Sequence, residues 1–253
     1  MKKIAKKKVS TKSKPKQKRK LSQAPTSLPS QTKRSRTRVA HHRRRLSRSF
    51  RHELANLVSH GIGAGMAIAG TIFLILKGME DSYSLKIFSF ILYGSSITIL
   101  YLASTFYHAL PSPNAKKIFR RIDHASIFLA IAGSYSPITL VSLNGSLGWL
   151  LFGIVWLLAI AGIFYKSFFI NGREYISLSL YILMGWMIVF AIKPMLSAME
   201  PAGLWLLVAG GLSYTFGTIF YSMERMPYHH LVWHLFVMAG SIFHFIAIYN
   251  YVK

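Results

Sequence analysis

Ionisable side chains are scarce in the apolar part of this 253-residue chain, and three short stretches hold those that could do chemistry. They are Ser104-Thr-Phe-Tyr-His108, Ile122-Asp-His124 and His229-His-Leu-Val-Trp-His234. His230 and His234 are four residues apart, so on a helix they share a face about one turn apart, an arrangement that lets two imidazoles bind one metal ion. A third ligand must come from another element. His108 is the best placed, with Ser104 one turn away on the same face. Three neutral imidazoles and a fourth position left to water describe a catalytic Zn2+ site rather than a closed structural one. An oxygen-rich magnesium or calcium site would need more carboxylates than this part of the chain supplies.

Asp123 is the carboxylate suited to holding the water, accepting its proton or orienting a histidine. No glutamate lies between His230 and His234, so the general base of the HExxH proteases is missing from that helix. Ser104 reads as a hydrogen-bond donor to a developing oxyanion rather than as a nucleophile. His244 lies ten residues beyond His234, about 15 Å along a helix axis, and is excluded from the same ion. His60 is a polar neighbour entering from the first span, and His229 competes with His230 for the role of ligand. The plain reading stays open beside this one. A histidine at a helix end is ordinarily an interfacial residue, which describes His52, His124 and His229 best, and Asp123 near a helix start favours the positive end of the dipole.

The elements that position these residues follow from composition. The chain is 52% hydrophobic and holds 31 Lys and Arg against 7 Asp and Glu. Of those basic residues 20 lie in residues 1–51, which contain no acid. Beyond Arg51 the chain is nearly neutral and dominated by apolar runs of about 17 to 25 residues, the length that crosses a bilayer core as helix. Spans are predicted near Leu54–Leu76, Leu85–Leu110, Ile122–Leu143, Leu147–Tyr165, Ile176–Ile192, Leu204–Tyr221 and Leu231–Tyr251. The fold class is an all-α membrane protein, a seven-transmembrane helical bundle over residues 52–253, in a cell (inner or plasma) membrane.

Basic residues concentrate after spans two, four and six, at Lys116, Lys117, Arg120, Arg121, Lys166, Arg173 and Arg225. This bias puts the N-terminus in the cytoplasm and, after seven crossings, the C-terminus outside. Span two then runs inward while spans three and seven run outward, so His108, Asp123, His230 and His234 converge at the cytoplasmic face. Gly61-x3-Gly65 and Gly210-Gly211 read as sites of close helix packing, not as phosphate loops. Pro137 is predicted to kink span three. No paired broken helices or mid-membrane charges suggest a transporter. The absence of cysteine excludes disulfides and thiolate ligands.

Residues 1–51 are too polar to bury a core and read as a disordered basic tail that touches anionic lipid headgroups. No cleavable signal peptide or myristoylation signal is read at its start. Clustered Arg34, Arg36, Arg38 and Arg43 to Arg45 lack an aromatic platform, so nucleic acid is the weaker expectation.

The chain resembles the hemolysin III family, relatives of the progestin and adipoQ receptors and of alkaline ceramidases. The resemblance rests on an ordered set: Glu53-Leu-Ala-Asn-Leu-Val-Ser-His60, Ser104-Thr-Phe-Tyr-His108, Arg121-Ile-Asp-His124, Ala132-Gly-Ser-Tyr-Ser-Pro137, His230-Leu-Val-Trp-His234 and His244-Phe245. It implies seven helices with the N-terminus inside, zinc on His108, His230 and His234, and Ser104 and Asp123 beside it. For some relatives it implies hydrolysis of a lipid amide. The long basic tail departs from that pattern.

Three functions fit. The leading one is a zinc-dependent hydrolase of lipid amide or ester bonds, with membrane lipid as substrate. The others are a membrane regulator or receptor-like protein in which zinc staples helices, and a membrane-permeabilising hemolysin. Substrate identity and oligomeric state are not written in the sequence.

Overall fold

The computed structural model describes residues 30–80, 83–169 and 174–253, with side chains from Phe50 onward except at Glu174. All regular structure among them is helical. Helix α1 is Ser30–Glu80, α2 Ser84–Ala109, α3 Pro113–Pro137, α4 Gly145–Phe168, α5 Glu174–Gly185, α6 Ile192–Ala198, α7 Pro201–Ser222 and α8 His229–Tyr251. Seven stretches are long and apolar enough to cross a membrane, beginning with Phe50–Glu80 of α1. Each predicted span falls on one of them. Helices satisfy their backbone groups internally, which a hydrocarbon medium requires.

Local chemistry sets the ends. Pro113 and Pro201 open α3 and α7, where a missing N–H costs nothing. Asn144 (φ 47°) ends the third span and accepts a hydrogen bond from the Gly145 N–H at 2.6 Å, which starts α4. At Pro137 the α-helical register gives way to a π-helix over Ile138–Leu143, the local effect of the proline. Near the end of the chain, exposed Lys253 pairs with Glu200 at the start of α7, and this partner raises the lysine pKa above its ordinary value.

Helix α1 begins at Ser30 and so takes in the last part of the stretch that composition assigns to the tail. No proline or glycine interrupts residues 30–60. The tail before Ser30 and Arg173, both used above, lie outside the described residues.

The glycine expectations are corrected in part. A Cβ on Gly65 would meet nothing within 4 Å, and one on Gly61 would only touch Thr105, at 3.9 Å. The close approach of α1 to α2 is at Gly63, where a Cβ would lie 2.7 Å from the Tyr101 ring. Gly61 and Gly65 share a helical face roughly 200° from Gly63, so the i, i+4 pattern marked the wrong side. Gly210 does pack closely, against the His244 ring, whereas Gly211 makes only ordinary contact with Trp186.

Span five is broken, which neither of its flanking sequences announced. Helix α5 stops at Gly185, a 3-10 turn covers Met187–Ala191, and α6 continues from Ile192. The freed backbone groups are met by one side chain from α3. The Tyr135 hydroxyl donates to the Gly185 carbonyl at 2.9 Å and accepts from the Ile188 N–H at 2.9 Å. Trp186, inside the break, donates its indole N–H to Thr215 on α7 at 3.0 Å. Tyr135→Phe strands both backbone groups away from water and is expected to destabilise the protein by about 1–3 kcal/mol, read as a lower midpoint of thermal unfolding in detergent. An unchanged midpoint would show that Tyr135 does not hold the break.

Candidate metal centre

Helix α2 ends where α3 and α8 begin, so residues far apart in sequence meet at one end of the bundle. Burying imidazoles there requires a partner for each nitrogen. The ring centroids of His108 and His230 are 5.1 Å apart, those of His108 and His234 5.3 Å, and those of His230 and His234 4.6 Å. One ligand nitrogen from each lies within 4.8 Å of the other two. A tetrahedral zinc ion, with Zn–N of about 2.0–2.1 Å, sets its nitrogen ligands roughly 3.3 Å apart, so modest side-chain rotation closes the set.

The donor chemistry fits such an ion. His108 Nε2 is buried with no hydrogen-bond partner. Its other nitrogen, Nδ1, is 2.9 Å from Glu53 Oε2 on α1. Nδ1 of His234 is 3.0 Å from Ser59 Oγ, also on α1. The structure therefore brings together the three histidines that spacing singled out. His229 is directed elsewhere, its Nδ1 3.2 Å from the Tyr221 carbonyl. His244 lies apart from the trio, its Nε2 3.3 Å from the Leu207 carbonyl and its ring against Tyr214.

Asp123 and Ser104 sit beside the trio. Both line one cavity with His60, His230 and His234. The buried Ser104 hydroxyl stands next to the Asp123 carboxylate. The cavity, about 170 Å3, runs on between the helices past Tyr135, Trp186 and Ile192. It is lined by both Tyr221 and Leu204, at opposite ends of α7, so it is roughly 25 Å long at 1.5 Å rise per residue. Its wall is mostly apolar beyond the polar end.

Sequence reasoning gave no site role to Glu53, Ser59 or Lys116. Lys116 Nζ is 2.8 Å from the Glu53 oxygen that faces His108. The available signal was Glu53, Asn56 and His60 at i, i+3 and i+7, a polar face at the start of an otherwise apolar run. His60, named only as a neighbour, is buried and stacks on His234 with ring centroids 3.4 Å apart. Neither of its ring nitrogens has a hydrogen-bond partner.

Comparison with known proteins gives the family. A model described as "Haemolysin-III related" matches residues 48–245. "Hemolysin-3" of Bacillus cereus is 41% identical over 208 residues, covering 82% of this chain and 95% of the relative. "Hemolysin-3 homolog" of Bacillus subtilis (strain 168) is 39% identical over 203 residues, covering 80% and 95%. More distantly, the human "Monocyte to macrophage differentiation factor" is 28% identical over 203 residues, covering 78% and 83%. No solved structure matches. Seven apolar helices and these relatives together describe a multi-pass membrane protein. Matched by the family model over residues 48–245 and 41% identical to a bacterial relative over 208 residues, the chain belongs to the haemolysin-III related family.

Proposed function

We propose that this protein is an intramembrane zinc-dependent hydrolase of lipid amide or ester bonds. One observation carries the reading: a single cavity has Ser104, Asp123, His230 and His234 at one end and an apolar wall along the rest. An amphiphile with a carbonyl near its headgroup and a long hydrocarbon tail matches both parts. His108, His230 and His234 would hold the ion. Bound zinc supplies Lewis acidity, polarising a carbonyl and acidifying water.

The chain's own groups supply the remainder. The Asp123 carboxylate is placed to take a proton from the attacking water and return it to the leaving amine or alcohol. The Ser104 hydroxyl, beside Asp123 in the cavity, would donate to the carbonyl oxygen as negative charge develops there. The apolar wall holds the acyl chain and excludes water from it. Lys116, Lys117, Arg120 and Arg121 lie in the first turns of α3, at the same end as the histidines. By the short-loop charge bias this end faces the cytoplasm, so the scissile bond is reached from the inner leaflet of the cell membrane.

Two measurements test the reading. Purified protein is expected to hold one zinc per chain, to lose most of it on His108→Ala, His230→Ala or His234→Ala, and to keep it on His244→Ala. Equal loss from all four, or no zinc after reconstitution with excess Zn2+, would overturn the site. Asp123→Asn is expected to keep the metal while turnover across a panel of lipid amides and esters falls by about 10²–10⁴-fold.

The printed name of the Bacillus cereus relative supports a second reading, membrane permeabilisation. It requires purified protein to release dye from liposomes, and tight vesicles would remove it. A zinc-binding wild type that turns over no lipid of the panel would instead make the metal a staple between α2 and α8, as in a regulator.

A further inference from the structure

A neutral imidazole carries one N–H and one lone pair, and a metal takes the lone pair. The free nitrogen's partner therefore decides which nitrogen faces the ion. For His108 that partner is Glu53, whose Oε2 is 2.9 Å from Nδ1 and 2.8 Å from Lys116 Nζ. An ionised carboxylate only accepts, so both neighbours donate to it. Nδ1 of His108 thus carries the hydrogen, and the lone pair is on Nε2, the buried nitrogen with no partner.

For His234 the same result follows from a hydroxyl. Ser59 Oγ donates its one hydrogen to the Asn56 carbonyl at 2.9 Å. Toward Nδ1 of His234, 3.0 Å away, it can then only accept. Nδ1 of His234 carries the hydrogen as well. Glu53 and Ser59 belong to α1, the one span of these three that supplies no ligand.

We propose that Glu53 and Ser59 are positioning residues for the metal centre: from α1 they hold His108 and His234 as Nδ1–H tautomers, so that both rings present Nε2 to the zinc. Lys116 keeps the Glu53 carboxylate in place. The inference rests on the zinc reading above and adds to it where ligand orientation comes from.

The test is a zinc titration against a competing chelator on the full-length protein in nanodiscs. Glu53→Leu and Ser59→Ala are each expected to weaken zinc binding about 10- to 100-fold. Glu53→Gln keeps a carbonyl acceptor and is expected to recover most of that loss, which a role of the charge alone would not produce. The thermal midpoint of each metal-free variant is expected to stay near that of the metal-free wild type. Nitrogen-15 spectra of histidine-labelled, metal-free wild type are expected to show Nδ1–H at His108 and His234, a readout independent of whether any variant folds.

Wild-type affinity in Glu53→Leu and Ser59→Ala, equal weakness of Glu53→Gln and Glu53→Leu, or Nε2–H at either histidine would each overturn the inference while leaving the zinc site standing. A wild type that binds no zinc while its spectra show both Nδ1–H tautomers would overturn the zinc reading, and with it the purpose assigned to Glu53 and Ser59.

Discussion

Polar groups removed from water must find partners, and in this protein that requirement shapes both the bundle and the end that holds the histidines. Most of the bundle meets it with helical backbone and with serine and threonine hydroxyls that bond back to carbonyls of their own helix, as at Ser96 and Thr105. At the end where α2, α3 and α8 meet, the solution is a connected set of side chains. Lys116 holds Glu53, Glu53 holds His108, and Ser59 holds His234. What is left over there, buried and without a hydrogen-bond partner, includes His108 Nε2 and both ring nitrogens of His60. Those leftovers define the candidate site.

Much of this was legible from residue order. The seven spans are long apolar runs, and a run of that length has few other structures to adopt in lipid. His108, His230 and His234 could be read as one group because the four-residue spacing fixes two of them and charge bias aligns the depth of the third. Asp123 was legible for a similar reason, as a carboxylate at the matching end of the next span.

What was not legible depends on rotation and on breaks. The rotation of α1 about its axis decides whether Gly63 or Gly61 meets α2, and glycine spacing alone pointed to the wrong face. That same rotation turns Glu53 and Ser59 toward histidines 55 and 175 residues away in sequence. No local pattern announces such pairs. The break in span five was hidden because the group that supports it, Tyr135, belongs to a different helix.

That break bears on the shape of the cavity. One phenol oxygen satisfies a carbonyl and an amide that lie on opposite sides of the interruption. Straightening this segment would require giving up both bonds together inside a medium that offers no replacement. Gly185, Trp186 and Ile188 therefore form a wall with a set contour, and Tyr135 itself lines the same hollow. The bore of the cavity is thus templated by a bent piece of main chain as well as by the bulk of its side chains.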